Sequence, residues 1–234
     1  MATKAVFFDA AGTLIKPVRP VGQTYASVAE NYGMKVSSSE VSQRFRTCFD
    51  ASPPLSFGLV SAESIEHLER DWWKQLVHCV FQPFGRPVQL DRTFDELFSY
   101  FARPEAWTLY PDVLEALSAL RQRGLILDVI SNFDSRLIDI LEGLGTADWF
   151  EEVIISSRVG HAKPSRQIFD TALQRHKLAP SEAMHVGDSE ENDFHGAVNA
   201  GLAGVLIDRS GNLAPTNIRQ IKSLNEIISI LEQV

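Results

Sequence analysis

The sequence predicts an α/β protein, a doubly wound parallel sheet flanked by helices with a mainly helical segment inserted into it. Three observations predict it. Short apolar runs recur at Ala5-Val-Phe-Phe8, Leu125 to Ile130, Val153-Ile-Ile155, Met184-His-Val186 and Gly204-Val-Leu-Ile207. Helix-like patterns alternate with the later runs, as in repeated strand-helix units. Between the first run and the rest lies a long stretch whose apolar residues repeat at intervals of three and four, the helical period.

Each element has its own signal. Ala5 to Phe8 is apolar at every position, which suits a strand covered on both faces, and Gly12-Thr13 marks the turn after it. Tyr25, Val28, Ala29 and Tyr32 predict one helix, and Val41, Phe45, Cys48 and Phe49 a second, separated by Gly33 and the serines at 37–39. Ile65, Leu68, Trp72, Leu76 and Cys79 predict a third over Ala62 to Val80, and Leu90 to Phe101 supplies a fourth. Pro53-Pro54 and Gln82-Pro-Phe-Gly85 read as breaks. From Pro111 onward the helices carry Leu114, Leu117 and Leu120, then Arg136 to Leu144, a helix after Pro164, Phe194 to Ala200, and a terminal helix through Leu224, Ile227, Ile228 and Leu231. These boundaries divide the chain into a sheet-bearing core, residues 1–16 and 103–234, and a helical segment, residues 17–102.

Composition narrows the function classes. With 22 Lys and Arg against 30 Asp and Glu, the formal charge of −8 opposes general attraction to nucleic acid or an anionic membrane surface. No apolar run reaches the ~20 residues of a membrane helix, and the opening residues run into the first strand without a secretory leader pattern. Cys48 and Cys79 are the two cysteines, and their placement in helical patterns predicts buried or incidental thiols rather than a disulfide. The expected location is therefore cytoplasmic. The expected partner is a small anionic metabolite met by local positive charge.

Chemistry-bearing residues gather at the ends of the predicted strands. Asp9 follows the first strand and is suited to nucleophilic attack, with Gly12 and Thr13 placed to approach an anion. Ser131 and Asn132 follow the second strand, where a hydroxyl can donate to phosphate. Lys163 precedes a helix and can neutralise anionic charge. After Met184-His-Val186 comes Gly187-Asp-Ser-Glu-Glu-Asn-Asp193, whose Asp188 and Asp193 are oxygen ligands of the kind a hard cation prefers. The six histidines lack a compact zinc-ligand spacing, and His185 within a strand reads as structural.

In this order and at these strand ends, the four signals resemble the four motifs of the haloacid dehalogenase-like hydrolases, and the helical segment resembles that family's inserted cap. The resemblance implies a Rossmann-like core, a Mg2+ cofactor and an aspartyl-phosphate intermediate formed on Asp9. It places the metal on Asp9, the backbone carbonyl of Ala11 and Asp188, with Asp193 ligating through water or bracing the others. It gives Thr13, Ser131 and Lys163 catalytic roles and lets Gly12 and Asn132 contact the phosphate.

One position departs from the pattern. Many phosphatases of the family carry a second Asp two residues after the nucleophile as acid and then base, and here Ala11 stands there. Loss of a positioned acid/base typically costs about 10²- to 10⁴-fold in rate. The family's L-2-haloacid dehalogenase branch also lacks that acid, and a local match places Arg46 near its halide-contacting arginine. That branch replaces the Gly-Asp of the fourth motif with Ser-Asn and works without metal, whereas Gly187-Asp188 is retained here. Phosphonoacetaldehyde hydrolases share the Asp-x-Ala-Gly-Thr phrase, but Lys35 is not at their Schiff-base position. A further alternative is a non-catalytic phosphate- or partner-binding scaffold with Trp72, Trp73, Phe81 and Phe84 at the edge of the helical segment.

Overall fold

The computed structural model describes residues 2–85, 89–211 and 218–232. Six parallel strands form the central sheet in the order β5-β4-β1-β6-β7-β8. They are β1 (Ala5–Phe8), β4 (Ile126–Ser131), β5 (Glu152–Ile155), β6 (Ala183–Gly187), β7 (Ala203–Ile207) and β8 (Gln220–Ile221). Their parallel pairing, with helices on both faces, is the α/β architecture expected from the alternating pattern.

The apolar strands are explained by two buried faces. Alternate residues point oppositely along a strand, so Val6 and Phe8 join one core cluster while Ala5 and Phe7 join another. The first cluster packs under α5 (Val113–Gln122), α6 (Arg136–Gly143) and α10 (Ile227–Leu231). The second packs under α8 (Arg166–His176) and α9 (Gly196–Ala200), and a one-turn helix, α7 (Ser156–Val159), follows β5. Asp128 is the charged exception inside β4. Its carboxylate is fully buried, pairs with His176 Nε2 at 2.7 Å and accepts from the Glu152 amide at 3.1 Å, bonds that offset only part of the burial, which still pushes it up to about 6.

Two three-residue strands escape sequence patterning. β2 (Ile15–Pro17) and β3 (Trp107–Leu109) pair antiparallel, Ile15 opposite Leu109, and form a stem from which the helical insertion departs and to which it returns. Between them run α1 (Val21–Asn31), α2 (Ser38–Ala51), α3 (Ala62–Phe81) and α4 (Leu90–Phe101), close to the expected spans. These helices bury their own cluster around Tyr25, Val28, Val41, Trp72, Leu76 and Phe94. Among the described residues no helix is long and apolar enough to cross a membrane.

The cysteines correct an expectation. Cys48 on α2 and Cys79 on α3 are joined in a disulfide across a sequence separation of 31. Packing of α2 against α3 brings their Cα atoms to 6.0 Å, a bridging distance that linear spacing does not reveal. Both cysteines are therefore paired, not the free thiols expected from their positions in the helical pattern.

Specific polar bonds tie the insertion to the core. Glu69 of α3 is buried, and its Oε1 accepts from the Ser135 amide at 2.9 Å, the Ser135 hydroxyl at 2.8 Å and the Ser157 hydroxyl at 2.5 Å. One turn on, Trp73 Nε1 donates to Asp134 Oδ2 at 2.6 Å, and the Ser156 hydroxyl donates to the Leu55 carbonyl at 2.6 Å.

Candidate active site

Asp9 lies one residue past β1, between the ends of β4 and β6, because the chain runs outward from β1 to β4 and β5 and then returns to β6 on the other side. Such a reversal of strand order opens a crevice at the carboxyl edge, where ligands bind in sheets of this kind. The Asp9 amide donates to the Val186 carbonyl at 2.9 Å, which prolongs the ladder and fixes the direction of the side chain. Asp9 Oδ1 accepts from Ser131 Oγ at 3.0 Å and from Lys163 Nζ at 2.7 Å. Residues from three separate chain segments thus meet on one carboxylate oxygen.

Lys163 holds a second carboxylate as well, donating to Asp193 Oδ1 at 2.6 Å. Burial opposes its charge, but the two flanking carboxylates outweigh that and hold the ammonium above its ordinary range. Asn132 positions it: Asn132 Nδ2 donates to the Lys163 carbonyl and the Lys163 amide donates to Asn132 Oδ1, both at 2.8 Å. Asn132 therefore braces the lysine through its backbone.

The segment after β6 folds into one wide π-helical turn, Glu190–His195, before α9 begins. Ser189 caps it, accepting from the Asn192 amide at 3.1 Å. This turn returns Asp193 beneath Gly187, where its Oδ2 accepts from the Ser189 amide at 2.9 Å. Burial works against its charge, but Lys163 and His185 hold Asp193 well below the usual carboxylate range. Asp188 points to the open side of the site. Burial and the Asp9 and Asp193 carboxylates push it up to about 7.

Two glycines make this crowding possible. A Cβ on Gly12, which has φ of +95°, would lie 2.2 Å from Asp188 Oδ2, and one on Gly187 would lie 2.1 Å from Asp193 Cγ. Any other residue at either position would displace a carboxylate. Thr13 is fully buried, and its hydroxyl has no hydrogen-bond partner among the described residues. Ala11 is half-buried in the turn, where the Gly12 amide donates to the Ile15 carbonyl at 2.8 Å.

Oxygens of Asp9, Asp188 and Asp193 lie within 4.8 Å of one another. Three carboxylates face the Lys163 ammonium, and their excess of negative charge adds to desolvation in raising Asp188. An all-oxygen donor set with uncompensated charge fits a hard divalent cation.

Sequence reasoning brought together Asp9, Gly12, Thr13, Ser131, Asn132, Lys163, Asp188 and Asp193, and the structure gathers these positions at one edge of the sheet. Arg46 is different. It lies exposed on α2, and among the described residues no hydrogen bond or ion pair joins it to the Asp9 cluster. His185 was read as structural, yet its Nε2 lies 2.9 Å from Asp193 Oδ1 while its ring meets Phe169 edge-on. Burial keeps the imidazole below its ordinary range, so the neutral ring donates to Asp193 and helps fix it. A histidine in an otherwise apolar strand was the available signal.

Comparisons with known proteins agree with this geometry. A family profile described as haloacid dehalogenase-like hydrolase matches residues 3–201. The chain is 39% identical over 208 residues to mouse haloacid dehalogenase-like hydrolase domain-containing protein 3, covering 86% of this chain and 80% of that protein. It is 38% identical over 112 residues to phosphoserine phosphatase of Thermus thermophilus, covering 47% of this chain and 45% of that protein. Among solved structures, a HAD phosphatase from Thermococcus onnurineus superposes with a TM-score of 0.70 at 28% identity, covering 98% of both chains. The chain belongs to the haloacid dehalogenase-like hydrolases.

Proposed function

We propose that this hydrolase is a Mg2+-dependent phosphatase of a small phosphate monoester, working through an aspartyl-phosphate on Asp9. The observation that carries the reading is the double hold on Asp9 Oδ1 by Ser131 and Lys163. Among the described residues, Oδ2 takes no hydrogen bond and is the oxygen left to attack. Attack forms the Oδ2–P bond and breaks the bond from phosphorus to the leaving oxygen. Water then cleaves the acyl phosphate and returns the carboxylate.

The chain's own residues divide the remaining tasks. Lys163 offsets charge on the nucleophile and the incoming phosphoryl group, while Ser131 uses its one hydroxyl proton in orienting Asp9 and the unpartnered Thr13 hydroxyl is the donor left for a phosphate oxygen. Asp9, the Ala11 carbonyl and Asp188 would hold Mg2+, with Asp193 bracing them. Bound there, the ion would neutralise the carboxylates and polarise the phosphoryl group. The helical insertion serves as a cap over the carboxyl edge, a reading supported by the bonds from Glu69 and Trp73 of α3 to residues close to Ser131.

Ala11 sets the substrate preference in this reading. With no acid at that position, the leaving oxygen departs without a donated proton, so monoesters of acidic alcohols and phenols should turn over and alkyl monoesters should lag. The names of two relatives, a phosphoserine phosphatase and a HAD phosphatase, favour phosphoryl transfer. Dehalogenation leans on Arg46, which makes no bond to the cluster, and meets an Asp188 carboxylate that it does not need.

The test is turnover of aryl and alkyl phosphates by the purified chain with Mg2+, with and without chelator, alongside Ala11→Asp. We expect metal-dependent aryl phosphate hydrolysis, and a gain of about 10²-fold on alkyl phosphates in A11D, roughly 3 kcal/mol of transition-state stabilisation. Failure of both proteins on every phosphate ester while the parent turns over L-2-haloacids without metal would replace this reading with dehalogenation.

A further inference from the structure

Within the helical insertion, Arg44 of α2 turns its guanidinium toward α3. One terminal nitrogen donates to the Cys79 carbonyl at 3.0 Å and lies 3.5 Å from Cys48 Sγ and 3.8 Å from Cys79 Sγ. Among the described residues no carboxylate pairs with it, and its Nε is buried without a hydrogen-bond partner. Disulfide sulfur is neutral and a weak acceptor, so the cation is left uncompensated on this side. A thiolate in the same place would supply both the charge and the acceptor that Arg44 lacks.

The two sulfurs differ in access. Cys48 is 2% exposed, whereas Cys79 is only half-buried. A thiolate arriving from solvent therefore meets Cys79 Sγ, and Cys48 is the sulfur it displaces. Exchange is faster when the leaving thiol has a low pKa, and a neighbouring arginine lowers the pKa of a cysteine. The sulfur nearer to Arg44 is thus the one that must take the electron pair. Access and charge select the same direction of attack.

We propose that Cys48–Cys79 is a thiol–disulfide exchange site for small thiols and dithiols, with Cys79 the attacked sulfur and Cys48 the leaving thiolate held by Arg44. In the first step a bond forms between the incoming sulfur and Cys79 Sγ, the Cys48–Cys79 bond breaks, and its electron pair stays on Cys48. The second thiolate of a dithiol then attacks the reagent sulfur bound to Cys79. That closes the reagent's own disulfide and releases Cys79, so the two electrons gained by the protein are those lost by the dithiol. A monothiol such as glutathione leaves a mixed disulfide on Cys79. Opening unties α2 from α3, while the bonds from Glu69 and Trp73 of α3 to the core involve neither sulfur.

The test uses the oxidised full chain, folded and at neutral pH. Opening by dithiothreitol is timed by alkylation of the released thiols. Glutathione exchange is stopped with acid, and peptide mass mapping locates the adduct. The opening rate should rise in proportion to dithiothreitol concentration, and glutathione should be found on Cys79 with Cys48 as the free thiol. Arg44→Met should slow opening by about tenfold, and Arg44→Lys, which keeps the charge, should retain most of the rate. If R44M does not fold, the position of the glutathione adduct in the unaltered chain still decides the direction of attack. Opening at a rate independent of dithiothreitol would show a purely structural bridge released only by unfolding, and would overturn the proposal. A glutathione adduct on Cys48, or an R44M chain that opens as fast as its parent, would overturn it equally. None of these readouts passes through phosphatase turnover at Asp9.

Discussion

Lys163 offers the most direct test of the electrostatics described above. Its side chain is only 2% exposed and lies 2.7 Å from Asp9 and 2.6 Å from Asp193, so Lys163→Met leaves two buried carboxylates facing each other with Asp188 nearby. Removing one partner from a buried ion pair costs about 3–5 kcal/mol, because the remaining charge stays desolvated and uncompensated. For a chain of this length that corresponds to a fall in melting temperature of about 6–20 °C. The measurement is thermal and urea unfolding with chelator present, so that no adventitious cation substitutes for the ammonium. K163M combined with Asp193→Asn removes one orphaned charge and should regain at least about 1 kcal/mol. A K163M protein within about 0.5 kcal/mol of the parent, or a double variant less stable than the single one, would refute the idea that Lys163 balances these carboxylates.

Three other perturbations probe the scaffold. Cys48→Ser should lower stability by about 3–4 kcal/mol, the chain-entropy value for a loop of this size, and a reductant should bring the parent to the same unfolding midpoint. Glu69→Ala strands the Ser135 and Ser157 donors and should cost about 2–4 kcal/mol by urea titration, with Glu69→Gln recovering part of it. Asp112 accepts from Arg209, Ser223 and the Leu224 amide, and these bonds outweigh burial to hold its carboxyl below the usual carboxylate range. Its folded form therefore binds the proton less readily than its unfolded form. Its contribution is complete above the unfolded value and is lost as pH falls below about 4, so Asp112→Asn should flatten that limb of the stability profile.

What could be read in advance followed from residues whose local pattern already carried the constraint. β1 was legible because every residue from Ala5 to Phe8 is apolar, which only a strand buried on both faces requires. The helices of the insertion were legible from their three-and-four spacing. The gathering of Asp9, Ser131, Lys163 and Asp188 was legible because each follows or adjoins a strand end in a parallel sheet. β2 and β3 were not, since three residues give no period and their pairing joins Ile15 to Leu109 across the whole insertion. The disulfide and the Asn132–Lys163 brace depend on distances between elements, to which spacing along the chain is blind. Glu69 did leave a trace: it sits four residues from both Ile65 and Trp73, a carboxylate on the apolar stripe of α3.

The parallel sheet acts on the active site as a ruler. Phe8 is in register with Val129 on one side and Val186 on the other, so Asp9 enters the crevice level with the ends of both neighbours. Strands lie about 4.8 Å apart, a gap that short side chains from adjacent tips can close. Ser131 reaches Asp9 from β4, and Gly187 and Asp188 close in from β6. The spacing of the reacting groups is thus inherited from backbone hydrogen bonds rather than negotiated among the loops. Lengthening the connections, including the long excursion between β2 and β3, leaves the graduations in place. Deleting a single residue within β1 would turn Asp9 to the other face of the sheet and dismantle the site while leaving every chemical group in the chain.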